Sequence, residues 1–363
     1  LAPVAALQPD AMIMSDPGII MLTREHFPDL PIHLSVQANA VNWAAVKFWQ
    51  QQGIKRVILS RELGLNEIEE IRQRCPDIEL EVFVHGALCM AYSGRCLLSG
   101  YINKRDPNQG ACTNACRWEY KAETAVDNDV GQFIPARDAV EPTLGIGTPT
   151  EQAFLLTEPQ RPDEPMPAFE DEHGTYIMNS RDLRAIQHVH RLVEMGIDSL
   201  KIEGRTKSFY YCARTAQVYR KAIDAAGRGE AFNADWFLEL EHLANRGYTD
   251  GFLQRHNHQD YQQYARGNSA SDTRQLVGEV THGDSDWWYV EVKNRFSVND
   301  KLEVMTPGGN TEVALTSLFS QQDEVLVVAP GSGYKVKIPA VEGFSPDMAM
   351  LLRCLKQPQP VPR

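Results

Sequence analysis

The chain has 363 residues, 43% of them hydrophobic and 23% charged, with a formal net charge of −12; that length suits a barrel of about 200 to 250 residues plus a smaller second domain. No apolar run approaches the roughly 18 to 20 residues that span a bilayer, which excludes a helical membrane protein, and the acidic balance opposes non-specific attraction to phosphate backbones, so any nucleic-acid site must be local. The opening LAPVAALQPD has neither a basic segment nor a long apolar core, so it reads as the end of a helix rather than a signal peptide, and a cytoplasmic protein is expected.

Short apolar strands then alternate with helices. Residues 11–15, 32–35, 56–60 and 80–84 read as strands, with helices over 18–26 and 41–52 and a further helix starting near Asn66, where Asn66 and Glu69 fit a capping box. After a long interruption, 176–179 reads as a fifth strand, and Leu183, Ile186, Val189, Leu192 and Val193 recur at helical spacing. Residues 199–203 and 208–226 supply a sixth strand and helix. Six βα units build either an open sheet or a barrel lacking two of its eight units; the start of the chain favours an incomplete TIM-like (β/α) barrel, whose chemistry belongs at the strand C-terminal ends. There the sequence places Asp16, Gln37, Arg61 with Glu62, His85, Asn179 with Arg181, and Glu203 with Arg205. Helix capping and ion pairing compete with direct function for each of them.

Residues 121–172 hold seven prolines without sustained periodicity and read as an insertion or lid made of loop. Beyond about residue 270 the period becomes two: strands are expected at 275–280, 287–292, 301–305, 312–318, 324–328 and 334–338, a small all-β barrel domain over 270–355, with 356–363 a flexible tail. The barrel domain is assigned to 1–262, with a cysteine-rich segment at 85–120.

Seven cysteines, an odd number, stand at 75, 89, 96, 112, 116, 212 and 354, and four form C-x6-C-x15-C-x3-C. Clustered thiolates without an export signal point to a metal rather than disulfides, and spacing alone leaves zinc and iron–sulfur equally open. Neither a GxSxG elbow nor an HExxH helix is present.

The stretch HGALCMAYSGRC through GACTNACRWEY, with SVQANAVN at 35–42, MNSRDL at 178–183 and KIEGRTKSFYY at 201–211, resembles the collagenase-like peptidase U-32 family, and within it the branch that hydroxylates tRNA. The resemblance implies a 4Fe–4S cluster with Cys89, Cys96 and Cys112 as ligands. The fourth is assigned to Cys116, with Cys212 as the rival, because the cysteine that many relatives carry after the MNSRDL-like motif is Arg184 here. It also implies prephenate as a required co-substrate, the tRNA anticodon loop as partner and 5-hydroxylation of the wobble uridine as the reaction. His85, Glu203 and Arg205 are the candidate catalytic residues: Arg205 to grip a carboxylate, His85 and Glu203 to orient groups or handle protons. A non-catalytic RNA-binding protein with structural zinc, or a peptidase, is the alternative. Basic residues at Lys104, Arg105, Arg117, Arg205 and Lys207 and aromatics at Trp118, Tyr120, Phe209, Tyr210 and Tyr211 are candidates for holding RNA, or for solvation and packing.

Overall fold

The computed structural model describes residues 1–88, 181–204, 207–243, 245, 247–254 and 274–355, together with the backbone of six strands between 121 and 175. Chain contacts divide it into two compact units, Leu1–Glu203 with Arg246–Ser269, and Gly204–Asn245 with Ala270–Arg363.

The first unit is a mainly parallel sheet with helices between its strands. β1 (Met12–Met14), β2 (Ile32–Leu34), β3 (Arg56–Ile58) and β4 (Glu79–Ala87) pair in sequence order, all parallel. Alternation makes one face apolar: Ile32, Leu34, Val57, Leu80, Val82 and Val84 are buried, as are Ile20, Val46, Ile68 and Ile71 from the intervening helices. Each helix begins on a local cap. Asp16 accepts from the Ile19 amide at 2.8 Å, and Asn42 accepts from the Ala45 amide at 2.9 Å. The third helix, Leu65–Arg74, corrects the expected cap by two residues: Gly64 is its N-cap, and Glu67 reaches back to the Gly64 amide at 2.8 Å. Asn66 and Glu69 instead accept from Arg191 at 2.7 and 2.9 Å.

Between 121 and 175 the expected loop is replaced by β structure. β5 (Lys121–Asp127), β6 (Phe133–Pro135), β7 (Phe154–Glu158) and β8 (Arg161–Ala168) form an antiparallel sheet in the order β6-β5-β7-β8, and β9 (Glu170–Asp171) pairs with β10 (Gly174–Thr175). Three prolines fall on β8, an edge strand, where a missing amide donor is tolerated.

The expected fifth strand at 176–179 lies outside the described residues. The next segment departs from the periodic reading: Asp182–Arg184 is a strand, β11, which places Leu183 in the sheet, and only Ile186–His188 and Val189–Glu194 are helical. β11 runs antiparallel to the end of β4, Leu183 opposite Gly86, whereas β12 (Ser199–Ile202) runs parallel to β4 along Glu81–His85. β13 (Tyr248–Thr249) adds to β11 in parallel. The parallel strands thus run β1-β2-β3-β4-β12, with an antiparallel fragment at the tip of β4.

In the second unit, the helix Phe209–Gly227 groups with the C-terminal strands, whereas the strand–helix repeat assigns it to the barrel domain. Its attachments are specific. Arg214, 1% exposed, pairs with Glu303, and Gln217 donates to the Thr306 carbonyl at 2.8 Å. The strands are β14 (Arg274–Gly283), β15 (Trp287–Val292), β16 (Phe296–Ser297), β17 (Lys301–Thr306), β18 (Gly309–Ala314), β19 (Leu318–Ser320), β20 (Val325–Leu326), β21 (Val328–Ala329), β22 (Lys335–Pro339) and β23 (Met350–Cys354). Eight form one sheet ordered β18-β17-β23-β14-β15-β22-β19-β20, and β16 pairs with β21. Val277, Trp288, Val290, Val292, Leu302, Val304 and Leu351 are among its buried core. β23, absent from the sequence reading, lies between β17 and β14. Among the described residues, no helix is long and apolar enough to cross a membrane.

Candidate active site

At the tip of β4 the regular ladder breaks. Lys201 faces Phe83 but Ile202 faces His85, so one residue of β4 is passed over. The two carbonyls beside the break serve different strands: Val84 accepts from the Ala185 amide at 2.8 Å, and His85 accepts from the Glu203 amide at 2.9 Å. Gly86 comes next with φ +112, and a Cβ there would lie 3.0 Å from the Glu203 carbonyl carbon and closer still to its oxygen. Only glycine admits both the conformation and the approach. The strand ends are thereby pressed together, and His85 and Glu203 are fixed by backbone rather than by rotamer choice.

Glu203 projects its carboxylate to Arg61, at the end of β3, in an ion pair whose side chains are 32% and 10% exposed. The Arg61 guanidinium also lies 3.6 Å from the Phe83 ring centroid, a cation–π contact. His85 is 1% exposed, with its ring 5.4 Å from that of Tyr248, against which the Arg184 guanidinium also packs at 4.5 Å. Of the residues expected at this mouth, the structure joins Arg61 with Glu203 and brings His85 beside them through the backbone. Gln37 accepts from Ser15 at 3.3 Å, and Asp16 is a helix cap. Arg205, Asn179 and the four clustered cysteines, Cys89, Cys96, Cys112 and Cys116, lie outside the described residues. Phe83 and Tyr248 were not singled out in the sequence as site residues, and Arg184 entered only as the residue at the position where many relatives carry a cysteine. Phe83 sits in an apolar strand and Tyr248 in none of the expected elements; a π face beside a charge leaves no spacing signature.

Deeper along the same strands lies a second charged layer. Glu81 accepts from Lys201 at 2.7 Å, Ser199 at 3.1 Å and Arg56 at 3.2 Å, and Arg56 also holds Glu79 at 2.8 Å. Burial pushes the Glu81 carboxyl up, but Lys201, Ser199 and Arg56 outweigh it and hold the group below the ordinary carboxylate range. His33, opposite Arg56 in register, is lowered by burial and then by that guanidinium.

Three cysteines outside the cluster are described, and all are free thiols: Cys75 is buried, Cys354 partly so, and Cys212 exposed with its Sγ 3.8 Å from the Gly204 carbonyl. Among the described residues no group of three or more metal-ligating side chains converges. Of the aromatics proposed to meet RNA, Tyr210 and Tyr211 are 6% and 2% exposed and pack the fold, while Phe209 is exposed.

Comparison with known proteins places the chain in a family. Residues 1–263 match the model of peptidase family U32, and residues 272–353 match that of the peptidase family U32 C-terminal domain. The chain is 63% identical to tRNA hydroxylation protein P of Escherichia coli, over 97% of this chain and 79% of that protein. It is 59% identical to tRNA hydroxylation protein P of Haemophilus influenzae, over 98% and 79%, and 36% identical to tRNA hydroxylation protein P1 of Bacillus subtilis, over 82% and 63%. The chain belongs to peptidase family U32.

Proposed function

We propose that this chain hydroxylates tRNA, converting the wobble uridine of an anticodon loop to 5-hydroxyuridine in a reaction that requires prephenate and a 4Fe–4S cluster. The observation that carries the reading is the high identity, along nearly the whole chain, to proteins named for tRNA hydroxylation. On this reading the parallel sheet is part of an incomplete (β/α) barrel, and the chemistry sits where Arg61, His85 and Glu203 gather at the strand ends.

The donor chemistry of Cys89, Cys96, Cys112 and Cys116 suits the cluster, since four thiolates match the soft ligands it takes. When bound, it supplies one-electron transfer. The protein's own residues then bind and orient. Prephenate is a dianion; Arg205 grips one carboxylate in bidentate fashion. Glu203, held by Arg61, and His85 are placed to orient the reacting groups and move protons at their Oε and ring nitrogen atoms. An anticodon loop is already single-stranded, which lowers the cost of presenting its base while the rest of the RNA stays outside.

The test is anaerobic reconstitution of the protein, then incubation with unmodified tRNA, with and without prephenate, and nucleoside mass spectrometry. The expected result is a prephenate-dependent gain of one oxygen on the wobble uridine. Reconstituted protein that binds tRNA and prephenate yet gives no such product ends the assignment.

A further inference from the structure

In the second unit, the outer face of β15 carries aromatic rings where an antiparallel sheet ordinarily turns polar side chains to water. Trp288, Val290 and Val292 point into the buried core, so Tyr289 and Glu291 alternate outward. Tyr289 lies opposite His282 of β14, and the two rings stack in parallel, 4.3 Å between centroids and 7° between planes. His282 is exposed, so the stack ends in solvent. Beyond Glu291, Lys293 bonds to Glu291 at 3.0 Å and to Glu279 at 3.3 Å, and its Nζ lies 5.7 Å from the centroid of the Phe209 ring. Phe209 inverts the usual partition. It is 45% exposed, whereas the adjacent Tyr210 and Tyr211, which carry hydroxyls, are buried.

Tyr289 and Lys293 are separated by about 13 Å of strand, so the stacked pair and Phe209 stand at opposite ends of a short charged strip. Glu279 and Glu291 both turn to Lys293. That leaves Lys335, exposed opposite Glu291, and Arg295, exposed in the turn after β15, without an ion pair among the described residues. Lys293, Arg295 and Lys335 thus outnumber the two carboxylates, in a chain whose net charge is −12. Lys337, next along β22, is buried and already paired with Asp323, and the acidic tip of the β14–β15 hairpin, Asp284 to Asp286, bounds the strip beyond His282. Rings at both ends of a locally basic strip match single-stranded RNA, whose bases stack on aromatic faces while its phosphates meet cations. We infer that His282, Tyr289, Lys335, Arg295 and Phe209 form a docking face for an unpaired stretch of the substrate tRNA: bases stack on His282 and Phe209, and Lys335 and Arg295 hold the phosphates between them. The inference rests on the reading that this chain acts on tRNA, and is independent of the cluster and of the co-substrate.

The experiment measures binding of an unmodified tRNA transcript to the whole chain by fluorescence anisotropy at several salt concentrations, for the parent and for His282→Ala, Phe209→Ala and Lys335→Ala. Each aromatic variant should raise Kd about tenfold, the effect of one lost base stack, and leave the slope of log Kd against log salt unchanged. Lys335→Ala should raise Kd about threefold and lower that slope by about one, the signature of a lost phosphate contact that a merely structural role would not move. A single-stranded oligoribonucleotide should compete with the tRNA better than a duplex of the same length, because paired bases cannot stack on side chains. Circular dichroism identifies any variant that fails to fold, and the others then decide. If the parent binds tRNA and every folded variant binds it equally well, the docking face is overturned and the tRNA reading stands. The face is equally overturned if sedimentation shows the variants breaking a dimer of this chain while tRNA affinity holds, since it then serves a second copy. If the parent does not bind tRNA, that reading fails and takes the face with it.

Discussion

Gly86 and Glu203 meet backbone to backbone at the end of the sheet, with the Glu203 amide bonded to the His85 carbonyl one residue earlier. That contact joins two candidate catalytic residues across 118 positions of sequence, and it depends on the absence of a side chain.

Gly86→Ala is therefore expected to be severe. The new methyl needs φ +112 and overlaps the Glu203 carbonyl, so β4 and β12 must separate. The cost should be about 2 to 4 kcal/mol, combining backbone strain with overpacking. Urea unfolding measures it. Gly196→Ala also places a methyl on a positive-φ glycine, φ +77, but in open space, so it should cost about 1 kcal/mol. Equal losses in the two variants would show that the contact with Glu203 is not what makes Gly86 special.

Glu81 gives a pH prediction. Its folded carboxyl is held below the ordinary range, so its contribution is fully present above the unfolded carboxylate pKa, about 4.3, and is lost as pH falls through the folded value. Glu81→Gln removes the charge on which Lys201, Ser199 and Arg56 converge. At neutral pH it should cost about 2 kcal/mol, the scale of hydrogen bonds to a charged group. The gap between parent and variant should close as the parent is acidified below pH ~4. Denaturant midpoints at pH 7, 5 and 3.5 would test this, and a gap independent of pH would refute it.

The first four strands were legible because a parallel sheet covered by helices writes itself as short runs with alternate apolar positions, Ile32 and Leu34 or Leu80, Val82 and Val84. β11 was not, because Leu183 fits the helical spacing of Ile186, Val189 and Leu192 while lying in a strand, and only the tip of β4 decides between them. The prolines of β8 disguise an edge strand as loop. β23 hides between exposed Met348 and the chain's end, in a run where Leu351 and Leu352 are both buried, which blurs the period of two. At the site, charge at strand ends announced Arg61, His85 and Glu203. The reason His85 and Glu203 meet, a bulge and a glycine, is a property of backbone pairing that no residue type announces.

In the second unit, Arg214 is tied to β17 through Glu303, and burial, which alone would lower its pKa, is outweighed by that carboxylate, so the guanidinium is held above its ordinary value. Glu303→Ala leaves the buried Arg214 only its longer contact with Glu239, at 3.4 Å, and takes one partner from Arg274, so it should cost about 3 kcal/mol. The double change Arg214→Met with Glu303→Leu removes both charges and should recover most of that loss. Thermal unfolding of the single and double variants settles the point; a double variant less stable than Glu303→Ala would mean that the charges hold the helix Phe209–Gly227 in place beyond their pairing.

The cysteines test the cluster that the proposed reaction requires. Cys89, Cys96, Cys112 and Cys116 supply four thiolates within 28 residues, enough for a 4Fe–4S cluster without a distant ligand. Cys212 has a local setting of its own: its Sγ packs on the turn before the helix Phe209–Gly227, where a Cβ on Gly204 would come within 2.6 Å of it. Serine at Cys89, Cys96, Cys112 or Cys116 should each lower iron and sulfide after anaerobic reconstitution and bleach the visible absorption, whereas Cys212→Ser should leave both intact. Retention of the cluster in Cys116→Ser with loss in Cys212→Ser would exchange the fourth ligand and draw the helix after KIEGR into the centre. Stoichiometric zinc without sulfide in the parent protein would remove the cluster from the mechanism altogether. Iron content and absorption are read without turnover, so this result stands whether or not the hydroxylation assay succeeds.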